Sequence, residues 1–201
     1  EYFQNLFIHE DSPPLYFVAI RLWSGVFGIS EVRLRLFSSL VGFLAVVLFF
    51  GLARRLLPVW ATLAGTLLFA LHPFVVEYSR EARPYALVLL LAVAALLLLW
   101  VIGAGEGTWW HRALFVAVNS ALLYTHYHAT LFIAAEAAAL LLAWRRPSGL
   151  RWLGASAVLF VPGALTLMNK MAMLRSGQRQ LWVQAGDGVG SVIGWLAAAR
   201  T

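Results

Sequence analysis

Residues 84–102 read PYALVLLLAVAALLLLWVI, an uninterrupted apolar run that opens on Pro84 and contains no charge. A helix needs roughly 17 to 25 such residues to cross a hydrocarbon core about 30 Å thick, so this run predicts a membrane span. Proline suits the first turn of a helix, which sets its start at residue 84. The rest of the chain has the same character. Of 201 residues, 62% are hydrophobic and 12% charged, and mean hydropathy is +0.80. A soluble domain sits nearer half apolar and a quarter charged, so a cytosolic globule is excluded.

Upstream of the central run, 36–53 makes one span, closed by Arg54-Arg55 and Pro58, and 60–76 makes another. Downstream, 113–144 is too long for one untilted span and reads as two short ones broken at THYH, 125–128. A last span covers 152–168. The Pro13-Pro14 pair starts a shorter segment, 13–28, which carries Arg21 and suits a helix lying at the membrane interface. The expectation is an all-α polytopic bundle, one transmembrane domain over 1–201. It comprises an outer loop at 1–12, the interfacial helix, about six spans within 36–168, and an outer segment at 169–201 leading toward a further helix. Because the chain opens on Glu1 and stops inside a rising apolar run, it reads as a piece of a longer protein.

Alternation of six spans gathers Arg54, Arg55, Arg112, Arg145, Arg146 and Arg151 on one side, where Glu106 is the only acid. Short, purely basic loops mark the cytoplasmic face. The opposite, outer face then receives Glu77, Glu81, Arg80, Arg83, His126 and His128 and is where chemistry is expected. Scattered arginines give no basic stripe, so nucleic acid is not an expected partner. The absence of cysteine removes disulfides, thiolate metal sites and cysteine nucleophiles. No phosphate-binding loop, dinucleotide fingerprint, Gly-x-Ser-x-Gly or His-Glu-x-x-His occurs.

The most informative polar run is HPFVVEYSREARPYAL, 72–87. A helix starting at Pro84 presents unpaired N–H groups that favour an anion, and Arg80 and Arg83 add fixed positive charge beside it. Glu77 and Glu81 are four apart; on a helix they share a face and could hold a divalent ion. The plainer alternative is a solvated loop in which Arg and Glu pair with each other. Tyr124, His126 and His128 lie at the break between two short helices, where polar groups persist only beside protein or a watery cavity. An interfacial aromatic belt explains them equally. Glu136 lies within an apolar helix and is either functional or bonded to a neighbouring helix. Lys170, past the last span, is placed to meet lipid phosphate or to form a headgroup-level basic fringe.

The order DSPPLYFVAIRLWSGVFGISEVRLRLFSSLVG, ARRL, LLFALHPFVVEYSREARPYALVLLL and LLYTHYHATLF resembles the membrane glycosyltransferases of the GT-C superfamily. The likeness is to the bacterial branch related to protein mannosyltransferases and the aminoarabinose transferase of lipid A. It implies a polyprenyl-phosphate-linked sugar as donor, inverting transfer to an acceptor at the outer face of the bacterial cytoplasmic membrane, and a divalent metal as the one candidate cofactor. Carried over, Glu81 and Arg83 match the acid and base of the second outer loop that handle a metal or the donor phosphate, and His126 and His128 match the polar break. The resemblance also calls for a first-loop carboxylate acting on the acceptor. Asp11 is the candidate for it, although members carry theirs further upstream of the Pro-Pro pair, and Ser12 stands where members have His or Lys. The competing reading is a non-catalytic subunit of a larger respiratory or photosynthetic membrane complex, derived from the same fold.

Overall fold

The computed structural model describes residues 13–126 and 128–143, with 151, 152, 154, 155 and 161 as isolated positions. Among the described residues every regular element is a helix. Helix α1, Leu15–Phe27, buries Tyr16, Phe17, Ile20 and Ser24 on one side and leaves Leu22 and Val26 exposed. The buried side packs on the next helix, Tyr16, Phe17 and Ile20 clustering with Leu34. It ends at Gly28, whose φ of 78° is open to glycine without a Cβ penalty. Trp23 Nε1–H then donates to the Arg33 carbonyl at 2.8 Å and pins α1 to the next helix.

Helix α2, Glu31–Leu56, spans 26 residues, or about 39 Å at 1.5 Å per residue. It begins earlier than the apolar run because Ser30 caps it, accepting from Arg33 N–H at 3.2 Å. Glu31 in its first turn and Arg54 and Arg55 in its last complement the helix dipole. Helix α5, Tyr85–Gly103, forms the most extensive interface with α2. Buried Ala45 on α2 and Ala86 and Ala95 on α5 suit close helix approach where lipid gives no hydrophobic drive.

Between these two the chain does not make the single straight span that 60–76 suggests. Helix α3, Val59–Leu71, stops before Pro73, and α4, Pro73–Arg80, leaves it at 51°. Proline removes an N–H donor, while the His72 ring accepts from Phe74 N–H at 3.3 Å and starts the new helix. Helix α6, Trp109–Thr125, and α7, Ala129–Ala138, are separated by the predicted break, and Ala139–Ala143 continues α7 as a π-helical turn. Two helices, α2 and α5, are long and apolar enough to cross a membrane, and the bent α3–α4 pair makes a third candidate. Exposed Leu36, Leu40, Phe43, Leu44 and Val47 give α2 an apolar outer stripe, as lipid contact requires. The expected span at 152–168 and the segments 1–12 and 169–201 lie outside the described residues, apart from the isolated positions.

Candidate functional site

The bundle end that carries Glu31 is organised by the packing of α4 on α2. Glu31, Arg35, Ser39 and Gly42 follow one another at four- and three-residue steps and share one face of α2. Ser39 Oγ–H donates to the Ser79 carbonyl of α4 at 2.8 Å. Gly42 lets the helices close further, since a Cβ there would stand 2.9 Å from Ser79 Cβ. One turn outward, Arg35 binds Glu31 at 2.6 Å.

The adjoining face of α4 carries Pro73, Val76, Glu77 and Arg80. With Arg35, Leu71 and Glu81 these residues line an open groove of about 520 Å³. Its lining combines the apolar side chains of Leu71, Pro73 and Val76 with two guanidinium groups and two carboxylates. Glu77 and Glu81 meet here by a different route from the one their spacing suggests. Glu77 is helical, whereas Glu81 has left the helix with φ −95° and ψ 141° and turns back toward the groove. Arg83 Nε lies 3.7 Å from Glu81 Oε2, so part of the Arg–Glu pairing foreseen for this loop is present. That separation is too long for a close hydrogen bond.

A row of rings connects this segment to the second polar break. Phe74 and Tyr78 lie 5.7 Å apart between centroids, Tyr78 and Tyr85 4.5 Å, Tyr85 and His126 5.9 Å, and His126 and His128 4.9 Å. His126 Nδ1 accepts the His128 backbone N–H at 3.2 Å and meets His128 Nδ1 at the same distance. Burial, and secondarily the charge of His128, holds the His126 pKa below its usual 6.5. An accepting Nδ1 leaves the neutral His126 proton on Nε2. His126 and His128 therefore join the site through Tyr85 and do not line the groove itself. Tyr124 packs against the Leu122, Leu123 and Ala129 cluster.

The metal expectation centres on Glu81. Among the described residues no three His, Asp or Glu side chains converge, and the charged group beside the Glu81 carboxylate is the Arg83 guanidinium. Among the described residues this falls short of the several converging oxygen ligands that a divalent ion calls for. Asp11 and Lys170 lie outside the described residues. Glu136 is buried beside Asn119, away from the groove. Arg35 was missed by the sequence reading as a site residue. Ser30 as a cap, followed by Glu31, was the available signal that α2 starts early enough to bring Arg35 onto the Ser39–Gly42 face.

Comparison with curated proteins and with solved structures gives no significant match. A family model described as dolichyl-phosphate-mannose-protein mannosyltransferase matches residues 11–174. That match takes in the whole groove, the ring row and every described helix, while the long apolar helices fit an integral membrane protein. The chain belongs to the dolichyl-phosphate-mannose-protein mannosyltransferase family, membrane glycosyltransferases of the GT-C type.

Proposed function

We propose that this protein transfers a sugar from a polyprenyl-phosphate donor to an acceptor at the outer face of a bacterial cytoplasmic membrane, within a bundle of about six spans and one interfacial helix. The observation that carries the reading is the groove. It brings Arg35, Arg80, Glu77 and Glu81 together with apolar Leu71, Pro73 and Val76 at the bundle end where α5 begins. Lipid-linked sugar phosphates combine these chemistries, with an anion, hydroxyl groups and a hydrocarbon tail. In the proposed step an acceptor oxygen attacks the anomeric carbon while the bond from that carbon to the phosphate oxygen breaks and its electron pair leaves with the phosphate. Arg83 and Arg80 neutralise the departing phosphate, Lys170 adds a further cation, and Glu81 orients the donor. The acceptor proton passes to a first-loop carboxylate, for which Asp11 is the candidate.

Neither the groove nor the family match favours the non-catalytic subunit reading. Transfer of radiolabelled sugar from a polyprenyl-phosphate donor, measured with the full protein in proteoliposomes, tests the proposal. Arg83→Ala is expected to lower turnover at least about a hundredfold, the scale of losing one preorganised charge at a developing anion, with helicity and melting temperature retained. Turnover equal to wild type in that variant would remove the role given to Arg83, and no transfer by the wild type to lipid, glycan or protein acceptors would remove the reading.

A further inference from the structure

We propose that Arg35 and Glu77 complete a headgroup subsite in the groove, with Arg35 and Arg80 taking the phosphate of a lipid-linked sugar and Glu77 accepting from a sugar hydroxyl. The inference rests on the donor reading above and adds to it a cation from α2 and a carboxylate from α4. Arg35 is placed by a rigid frame. The Ser39–Ser79 hydrogen bond of 2.8 Å and the close approach at Gly42 fix α2 against α4 one turn and two turns below it. Side chains mounted on packed helices hold their geometry better than side chains on loops.

The only ion-pair partner of Arg35 among the described residues is Glu31, on its own helix and outside the groove lining. A guanidinium has five N–H donors in a planar fork, so this single pair leaves donors for an anion in the groove. Glu77 shares its helix face with Arg80 one turn on, and it makes no ion pair among the described residues. A carboxylate in that state accepts from hydroxyls, which distinguishes a phosphosugar from a bare phosphate. The apolar part of the lining, Leu71, Pro73 and Val76, is continued along α3 by exposed Leu67 and Leu68. A hydrocarbon tail can therefore continue from the groove onto the apolar surface of α3.

Equilibrium binding of two radiolabelled probes tests this, with the full chain in phosphatidylcholine nanodiscs. One probe is a short-chain isoprenyl phosphate and the other the same lipid phosphate carrying a sugar. Arg35→Ala is expected to weaken both probes about tenfold or more, the scale of one charge-assisted hydrogen bond, and Arg35→Lys to recover part of that loss. Glu77→Gln is expected to weaken only the sugar-bearing probe, again about tenfold. Wild-type affinity for both probes in Arg35→Lys and Arg35→Ala, alongside a loss in Arg83→Ala, would overturn this inference and leave the donor reading standing. Equal affinity of Glu77→Gln and wild type for the phosphosugar would overturn the sugar half. Displacement by phosphatidylglycerol as effective as by unlabelled isoprenyl phosphate would assign the groove to bilayer headgroups and overturn the proposal. A wild type that binds neither probe would overturn the donor reading and this inference together.

Discussion

Gly42 of α2 faces Ser79 of α4 so closely that an added Cβ would lie 2.9 Å from Ser79 Cβ and 3.6 Å from Ser79 Cα. The same pair of helices brings Arg35 and Arg80 into one groove, so a shift of α4 alters its charged lining. Gly42→Ala is expected to cost about 1–3 kcal/mol, as small-to-large changes in packed cores do. It should also reduce transfer more than melting temperature alone would suggest. Combining it with Ser79→Gly removes the opposing Cβ and should restore activity in part. Thermal melting and sugar transfer of the two variants check this; full activity in Gly42→Ala alone would show that the α2–α4 spacing does not govern the groove.

His126 provides a pH signature. Its folded pKa lies below the 6.5 of the free side chain, burial being the larger cause and His128 the smaller. Between the folded pKa and 6.5 the unfolded chain binds more protons than the native one, so stability rises with pH across that window. The stabilisation is complete above 6.5 and is lost as pH falls through the folded value. Melting temperature should therefore drop on acidification below 6.5, and His126→Asn should flatten the drop. His128→Asn removes only the charge contribution and should move the His126 titration up partway, readable from its imidazole proton shifts. A His126 pKa that does not rise in His128→Asn would show that the 3.2 Å contact carries no coupling.

The legible and illegible parts of this protein differ for physical reasons. The run 84–102 needed no partner to be read, because length and apolarity alone decide a span, and α5 occupies Tyr85–Gly103. The break at His126 and His128 was equally local. The bend at 72–73 was hidden by continuous hydropathy, although Pro73 at the first helical position with His72 capping it was a start signal. Glu77, Arg80 and Glu81 were legible as a charged cluster, yet Arg35 was not, since no local pattern tells a residue of α2 that it will face a segment more than forty positions away. Glu81 shows the opposite error. Its helical spacing from Glu77 suggested a shared face, and the chain leaves the helix at that residue.

Glu136 on α7 and Asn119 on α6 are 2% and 0% exposed and lie beside one another. Asn119 Nδ2–H donates to the Phe115 carbonyl at 3.2 Å, while Asn119 Oδ1 and both Glu136 carboxylate oxygens have no hydrogen-bond partner among the described residues. Glutamine at 136 supplies an amide donor for Asn119 Oδ1 at nearly constant volume. Glu136→Gln should therefore fold with stability within about 1 kcal/mol of wild type. Glu136→Lys puts a cation into the same apolar setting and should cost about 3 kcal/mol or prevent insertion. Detergent-solubilised melting curves and membrane yield measure both; a lysine variant as stable as wild type would mean that this position reaches water.

Arg55 at the end of α2 pairs with Glu106 at 3.2 Å, in the turn after α5, while Val32 lies exposed at the start of α2. These positions mark opposite ends of a helix about 39 Å long at 1.5 Å per residue, so they report on opposite faces of the membrane. Residues 1–201 contain no cysteine, so within them an introduced cysteine is a unique label. Val32→Cys should react with a membrane-impermeant maleimide applied to intact cells, and Glu106→Cys only in inverted vesicles. Both substitutions are at exposed sites, and loss of the half-exposed Arg55–Glu106 pair should cost no more than about 1 kcal/mol. Labelling of Glu106→Cys from outside would place the groove that holds Arg35, Glu77 and Glu81 on the cytoplasmic face. The outer-face transfer would then fall, while membership of the family, which rests on residues 11–174, would stand.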